Sequence, residues 1–384
     1  MGFPRVLAVL VAVTALIAGC GHTPKRPQSA PTTSAAKPIS PARPACGEPA
    51  AVLAAMSTRD KLAQLLMVGV RNGDDAKNVV ANHHVGGIFI GSWTDLSMLG
   101  PQLVKDLSAT TALPVAVSVD EEGGRVARLS SLIGPAPSAR ALAQTHTPDE
   151  VYGMALDRGH RMRGVGITVD FAPVVDVTDA ADDTVIGDRS FGSDPAKVTA
   201  YADAYARGLR DAGLLPVLKH FPGHGHGSGD SHTGGVVTPP LDQLQNDDLV
   251  PYRTLLTAAP VGVMVGHLQV PGLTGNEPAS LSRAALQLLR DGTGYNAPAF
   301  DGPVFSDDLS SMAAINERYS VPDAVLRTLQ AGTDVALWVT TDEVPAVLDQ
   351  LEKALAAGEL AMPTVDASVL RIAKFKGPKP DCGP

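Results

Sequence analysis

Between Lys219 and His232 the sequence reads KHFPGHGHGSGDSH, which places four histidines, four glycines, a lysine and an aspartate in one short span. Imidazoles and carboxylates this close together can pass protons near neutral pH, and glycine lets a backbone fold tightly around a ligand. The span directly follows the apolar run Leu214 to Leu218. An apolar run that empties into charged residues and glycine is a strand feeding a surface loop, and loops on a rigid scaffold are where catalytic groups usually sit. Other charged sets follow other apolar runs: Asp120-Glu121-Glu122-Gly123-Gly124-Arg125, then His267, then Ser306-Asp307-Asp308. His224-x-His226 has a metal-like spacing, yet no cysteine ligand lies near it and no His-x-His stands on the first strand. No metal and no organic cofactor are expected.

The elements that must position these groups alternate. Ser57-Thr58-Arg59-Asp60 predicts a helix start, as do Thr147-Pro148-Asp149-Glu150 and Asp194-Pro195, while Gly213 and Gly332 predict helix stops. Between them lie eight candidate strands: 66–70, 86–90, 115–119, 166–171, 215–218, 262–265, 303–305 and 334–338. Most are continuous apolar runs, the pattern of parallel strands buried on both faces. Eight strands interleaved with helices predict an α/β chain folded as a single (β/α)8 TIM-like barrel. A doubly wound open sheet is the competitor, but no glycine-rich nucleotide loop follows the first strand. The charged sets fall at carboxyl ends of successive strands, the active face of barrel enzymes.

The chain has 384 residues, 44% of them hydrophobic, and a formal charge of −9. Residues 1–47 carry Arg5, Lys25, Arg26, Lys37 and Arg43 and no acid, so the rest bears −14. So acidic a body argues against a nucleic-acid partner, which would need clustered cations. Arg5, the apolar run Val6 to Ile17 and then Ala18-Gly19-Cys20 resemble a bacterial lipoprotein signal. On that reading residues 1–19 are removed and Cys20 is lipidated, which predicts an extracytoplasmic chain anchored to the cell membrane. An ordinary secretory signal is the alternative. Residues 20–46, with six prolines among Ser, Thr and Ala, suit an extended tether, and 47–384 form the catalytic unit. Cys46 and Cys382 bracket that unit, and a disulfide between them is one expectation, two free thiols the other.

VDEEGGRVARL (119–129), FAPVVDV (171–177), DRSFGSDP (188–195), KHFPGHG (219–225), DSH (230–232), PASLS (278–282) and FSDDLS (305–310) resemble, in order and spacing, glycoside hydrolase family 3. The similarity is greatest to its single-barrel bacterial β-N-acetylglucosaminidases and covers residues 50 to 376. The resemblance implies that Asp307 is the nucleophile, being the first Asp after Ser306, and that His232, supported by Asp230, is the proton donor. Two-domain β-glucosidases of the family take their donor from a second domain, which is not expected here. The resemblance also assigns substrate binding to Asp120, Arg189, Lys219 and His220, with Arg128 and Asp176 at matching but peripheral positions. His224 is expected to shape the loop. Gly225, Gly227 and Gly229 are expected to let the Asp230–His232 pair close over bound sugar.

These readings converge on a retaining exo-β-N-acetylglucosaminidase that forms a covalent glycosyl-enzyme and releases terminal N-acetylglucosamine from peptidoglycan-derived fragments. Its partners are then a small carbohydrate and the membrane, with a monomer as the expected state. A phosphorylase of the same glycosides and a non-catalytic wall-fragment binder are the rivals. Ser310-Ser311-Met312 departs from the family's usual Ser-Met-Glu order and bears on sugar specificity.

Overall fold

The computed structural model describes residues 48–258 and 260–377, together with Gly2. The proposed signal, the tether, Cys20, Cys46 and Cys382 therefore lie outside the described residues. Eight parallel strands form one sheet: Leu66–Gly69 (β1), Gly87–Ile90 (β2), Ala116–Val119 (β3), Val169–Asp170 (β4), Leu215–Phe221 (β5), Gly262–Val265 (β6), Val304–Ser306 (β7) and Ala336–Trp338 (β8). Their order runs β7-β6-β5-β4-β3-β2-β1-β8. Phe305 bridges Val335 in parallel, and Ser306 and Leu309 donate to the carbonyls of Val335 and Leu337 at 3.0 and 2.9 Å. That contact brings β7 against β8 and rounds the sheet into a barrel. Each strand is answered by a returning helix, from Gly73–His83 after β1 to Val344–Ala356 and Met362–Lys376 after β8.

The eight apolar runs become the eight strands because residues pointing either way meet a core. All four residues of β1, β2, β3 and β6 are buried. Gly262 has no side chain where Phe305 needs room: a Cβ there would come 2.9 Å from the Phe305 ring. Phe171 then stands between Phe89 and Phe305, with ring centroids 6.0 and 5.5 Å away, and floors the barrel beneath the charged face. The expected helix starts form as well. Ser57, Thr147 and Asp194 each accept a backbone N–H in the first turn, Thr147 within a capping box, and Gly332 ends its helix in the left-handed region. Strand five runs three residues beyond its apolar stretch, through Lys219, His220 and Phe221.

One buried carboxylate locks the closure. Asp334 accepts from Arg290 Nη2 at 2.5 Å, Val304 N at 2.9 Å, Ser368 Oγ at 2.7 Å and Arg371 Nη1 at 3.2 Å. It joins β7 to two outer helices, Arg283–Asp291 and Met362–Lys376. Asp334→Ala would leave two guanidinium groups without their shared partner. A loss of roughly 3–5 kcal/mol in urea unfolding is expected, and an unchanged midpoint would contradict this role.

Candidate active site

The carboxyl ends of the strands surround a cleft of about 310 Å³, lined by Asp120, Arg128, Arg189, Lys219, His220, His224, Asp230, His232 and Asp307, among others. Every residue assigned to catalysis or sugar binding from the sequence lines this one cleft. Asp120 follows β3, Lys219 and His220 belong to β5, and Asp307 follows β7.

The floor is an ion network. Lys219 is buried, and its ammonium reaches Asp120 Oδ1 at 2.6 Å and Glu122 Oε1 at 2.5 Å. Glu122 also takes Arg189 in a two-point grip, from Nε at 2.7 Å and Nη2 at 2.9 Å. Burial by itself would favour neutral Glu122, but Arg189 and Lys219 outweigh it and hold the carboxyl far below its usual range. Burial likewise works against charge on Lys219, and Asp120 and Glu122 more than reverse it. The charged groups thus stay charged, held rigidly and ready to meet hydroxyls. Glu122 was not singled out in the sequence; its place in a run of three acids after β3 was the available signal. Arg128 is half-buried in the cleft wall and makes no ion pair or hydrogen bond among the described residues, so its guanidinium is open to a ligand.

Asp176, peripheral in the sequence reading, is central here. It is buried, accepts the backbone N–H groups of His220 at 3.2 Å and His224 at 2.8 Å, and receives His220 Nδ1 at 2.7 Å. Burial raises its carboxyl, but the His220 charge and ring hydrogen bond prevail and lower it. An ionised carboxylate only accepts, so the proton sits on His220 Nδ1 and Nε2 is left on the far side of the ring, 3.5 Å from Arg189.

The two adjacent aspartates separate cleanly. Asp308 spends both oxygens on the following turn: Ser310 N and Oγ donate to Oδ1 at 2.8 and 2.9 Å, and Ser311 N and Oγ donate to Oδ2. Among the described residues Asp307 receives only the Asp308 N–H, at 2.9 Å on Oδ1, and keeps Oδ2 uncommitted. Burial raises the Asp307 carboxyl, yet His267, His220, the Asp308 N–H and Lys219 together bring it below its ordinary value. His267, noted in the sequence only as a charge ending strand six, is a support: Nε2 donates to the Asp308 carbonyl and Nδ1 meets Ser280 Oγ, both at 2.7 Å. The departing Ser310-Ser311 pair has a plain task here, since both hydroxyls immobilise Asp308.

His232 stands on the loop after β5, with its side chain 60% exposed. Asp230 Oδ1 accepts both the His232 backbone N–H at 2.9 Å and the ring Nδ1 at 2.7 Å. Burial opposes, but these two bonds lower the Asp230 carboxyl and keep it an acceptor. Nδ1 therefore carries a fixed proton, and Nε2 is the atom free to give or take one. The loop is tied across to the segment after Asp307, because Ala314 N donates to Ser231 O at 3.2 Å and Ala313 N to His232 O at 3.4 Å. The glycines act differently from expectation. A side chain at Gly225 would strike the Val177 carbonyl, and one at Gly227 would meet Val236 at 2.7 Å; only Gly229 has open space. Two of the three exist for close packing rather than for swing.

A model of the glycosyl hydrolase family 3 N-terminal domain matches residues 57–375. The β-hexosaminidase LpqI of Mycobacterium tuberculosis is 68% identical over the full length of both chains. The solved structure of M. tuberculosis LpqI superposes with a TM-score of 0.86 at 72% identity, covering 88% of this chain and 98% of that one. A family 3 β-N-acetylglucosaminidase from Paenibacillus sp. str. FPU-7 superposes with a TM-score of 0.76 at 32% identity, over 84% of this chain and 62% of that one. With cleft, nucleophile-like carboxylate and barrel already in place, these matches have one meaning: the chain is a glycoside hydrolase and belongs to glycosyl hydrolase family 3.

Proposed function

We propose that the protein is a retaining exo-β-N-acetylglucosaminidase that removes terminal N-acetylglucosamine from peptidoglycan-derived fragments. The observation that carries this reading is the contrast within the aspartate pair: Asp308 is fully spent on its own turn, while Asp307 keeps one oxygen free in a cleft that also holds the Asp230–His232 pair. That the mycobacterial relative is a β-hexosaminidase and the Paenibacillus enzyme a β-N-acetylglucosaminidase supports the choice of sugar.

The glycon enters with its hydroxyls toward Asp120, Arg128, Arg189, Lys219 and His220. Asp307 Oδ2 attacks the anomeric carbon, an Asp–carbon bond forms, and the glycosidic carbon–oxygen bond breaks. The departing oxygen takes the proton from His232 Nε2, whose imidazolium Asp230 stabilises. Water then enters, gives one proton to Nε2, and its oxygen replaces Asp307 at the same carbon. Two inversions return the original anomer, and both side chains recover their starting states.

An aryl-glycoside panel tests the sugar. Turnover is expected on the N-acetylglucosaminide and at least about tenfold weaker on the glucoside and xyloside, the scale of losing one substituent's contacts. It should release free sugar with or without phosphate. Equal rates across the panel would overturn the specificity, and sugar 1-phosphate formation would show phosphorolysis.

The same reading places the barrel outside the cytoplasm, tethered through residues 20–46 and lipidated at Cys20. A Cys20→Ser chain should leave the membrane fraction for the soluble one; equal retention of both forms would contradict the anchor.

A further inference from the structure

The loop that carries His232 holds a second histidine for which the reaction has no use. His226 lies outside the cleft lining and turns toward two consecutive acids, Asp247 and Asp248. Its Nδ1 is 3.1 Å from Asp248 Oδ2, and its Nε2 is 4.0 Å from Asp247 Oδ2. One ligand atom from each of the three residues lies within 4.8 Å of the other two. The His224-x-His226 spacing in the sequence does not make this cluster, because His224 faces the cleft instead. His226 meets acids 21 and 22 residues further along.

Two features show that the cluster's own bonds leave it incomplete. Asp248 is 1% exposed, yet its Oδ1 has no hydrogen-bond partner among the described residues. Leaving a buried carboxylate oxygen bare is costly, and native structures rarely tolerate it. Neither acid has a lysine or arginine partner among the described residues, and the Asp247 carboxylate accepts no hydrogen bond there. Asp179 adds further negative charge around His226. A divalent cation answers both deficits at once, because it binds the bare oxygen and offsets the adjacent acids.

We propose that His226, Asp247 and Asp248 bind a zinc-class divalent ion that fastens the proton-donor loop to the turn before the helix Val250–Leu255. One imidazole nitrogen with two carboxylate oxygens, and a fourth position left for water, is a donor set that suits zinc. Magnesium and calcium call for six or more oxygen ligands, which these three residues do not supply. The ion takes no part in bond breaking. Its effect is on place: Gly223, where the loop leaves β5, already packs against Asp248, since a side chain there would collide with the Asp248 Cβ. Binding at His226 would hold the near part of the loop, while Ala313 and Ala314 hold its far part six residues on.

Isothermal titration of the metal-stripped full chain with zinc chloride, paired with thermal melting, tests this. The wild type is expected to take up one zinc per chain and melt a few degrees higher at saturating metal, the scale that tight binding to the native state gives. Asp247→Asn, at a half-exposed position that should not disturb folding, is expected to weaken zinc at least about tenfold, and His226→Gln to abolish uptake. His232→Gln should bind zinc as the wild type does. Absence of zinc uptake, or uptake that survives both Asp247→Asn and His226→Gln, would overturn the proposal. Loss of uptake in His232→Gln alone would overturn it too, by assigning the ion to the catalytic pair.

Discussion

Asp307→Asn should lose about 10⁴-fold or more in kcat, some 5.5 kcal/mol of barrier, and still fold as the wild type does. The reasoning is local. Asn is isosteric, keeps an oxygen to receive the Asp308 N–H, and leaves the barrel closure untouched. What disappears is the negative charge that His267, His220 and Lys219 are placed to sustain and that must bond to carbon. Asp308→Asn makes a sharp contrast. It weakens the turn at Ser310 and Ser311 and should cost far less, because Asp308 has no free oxygen to attack with. The pH dependence carries the same logic with a definite sign. Asp307 is depressed in the folded protein, so it stays ionised and competent above the ordinary Asp value of about 3.9. Protonation of Asp307 therefore limits the rate only at more acid pH, and an activity loss near pH 5–6 belongs to a different group. Comparable kcat for Asp307→Asn and wild type would end the assignment.

His232→Ala comes second, and its signature is a dependence on the leaving group. General acid catalysis is worth about 10²–10⁴-fold, and the full amount is needed only when the departing oxygen is a poor leaving group. On a disaccharide the variant should lose close to 10⁴-fold in kcat. On a dinitrophenyl glycoside, whose phenolate leaves without help, glycosylation should be nearly intact and deglycosylation should limit the rate. Exogenous azide should then restore turnover as glycosyl azide, because it needs no base to attack. His232 is exposed and, among the described residues, bonded only to Asp230 and to backbone, so its removal leaves the core unharmed. Asp230→Asn should give a milder version of the same pattern, with the ring present but its imidazolium unsupported. Equal losses on good and poor leaving groups would show a structural role instead.

The barrel was legible because parallel strands buried on both faces leave continuous apolar runs, and all eight runs became strands. Where the reading stopped short, pairing across sequence distance was responsible. Lys219 and His220 look like loop residues, yet they belong to β5 because Asp120, Glu122 and Asp176 compensate their burial. Glu122 grips Arg189 across 67 residues and Asp176 grips His220 across 44. No local pattern announces either contact. The glycines of the donor loop misled for a related reason. Composition suggests flexibility, but only coordinates reveal that Val177 and Val236 fill the space beside Gly225 and Gly227. The site residues themselves were visible as motifs, and the cleft gathers all of them; their individual roles as nucleophile, donor and sugar contacts are what the variants above address.

The most direct measurement is to trap the intermediate. Incubation with a 5-fluoro N-acetylglucosaminyl fluoride, followed by proteolysis and peptide mass spectrometry, should find one added sugar on the peptide containing Asp307, with fragmentation placing it on that side chain. A sugar on another residue, or inactivation with no covalent adduct, would contradict the account.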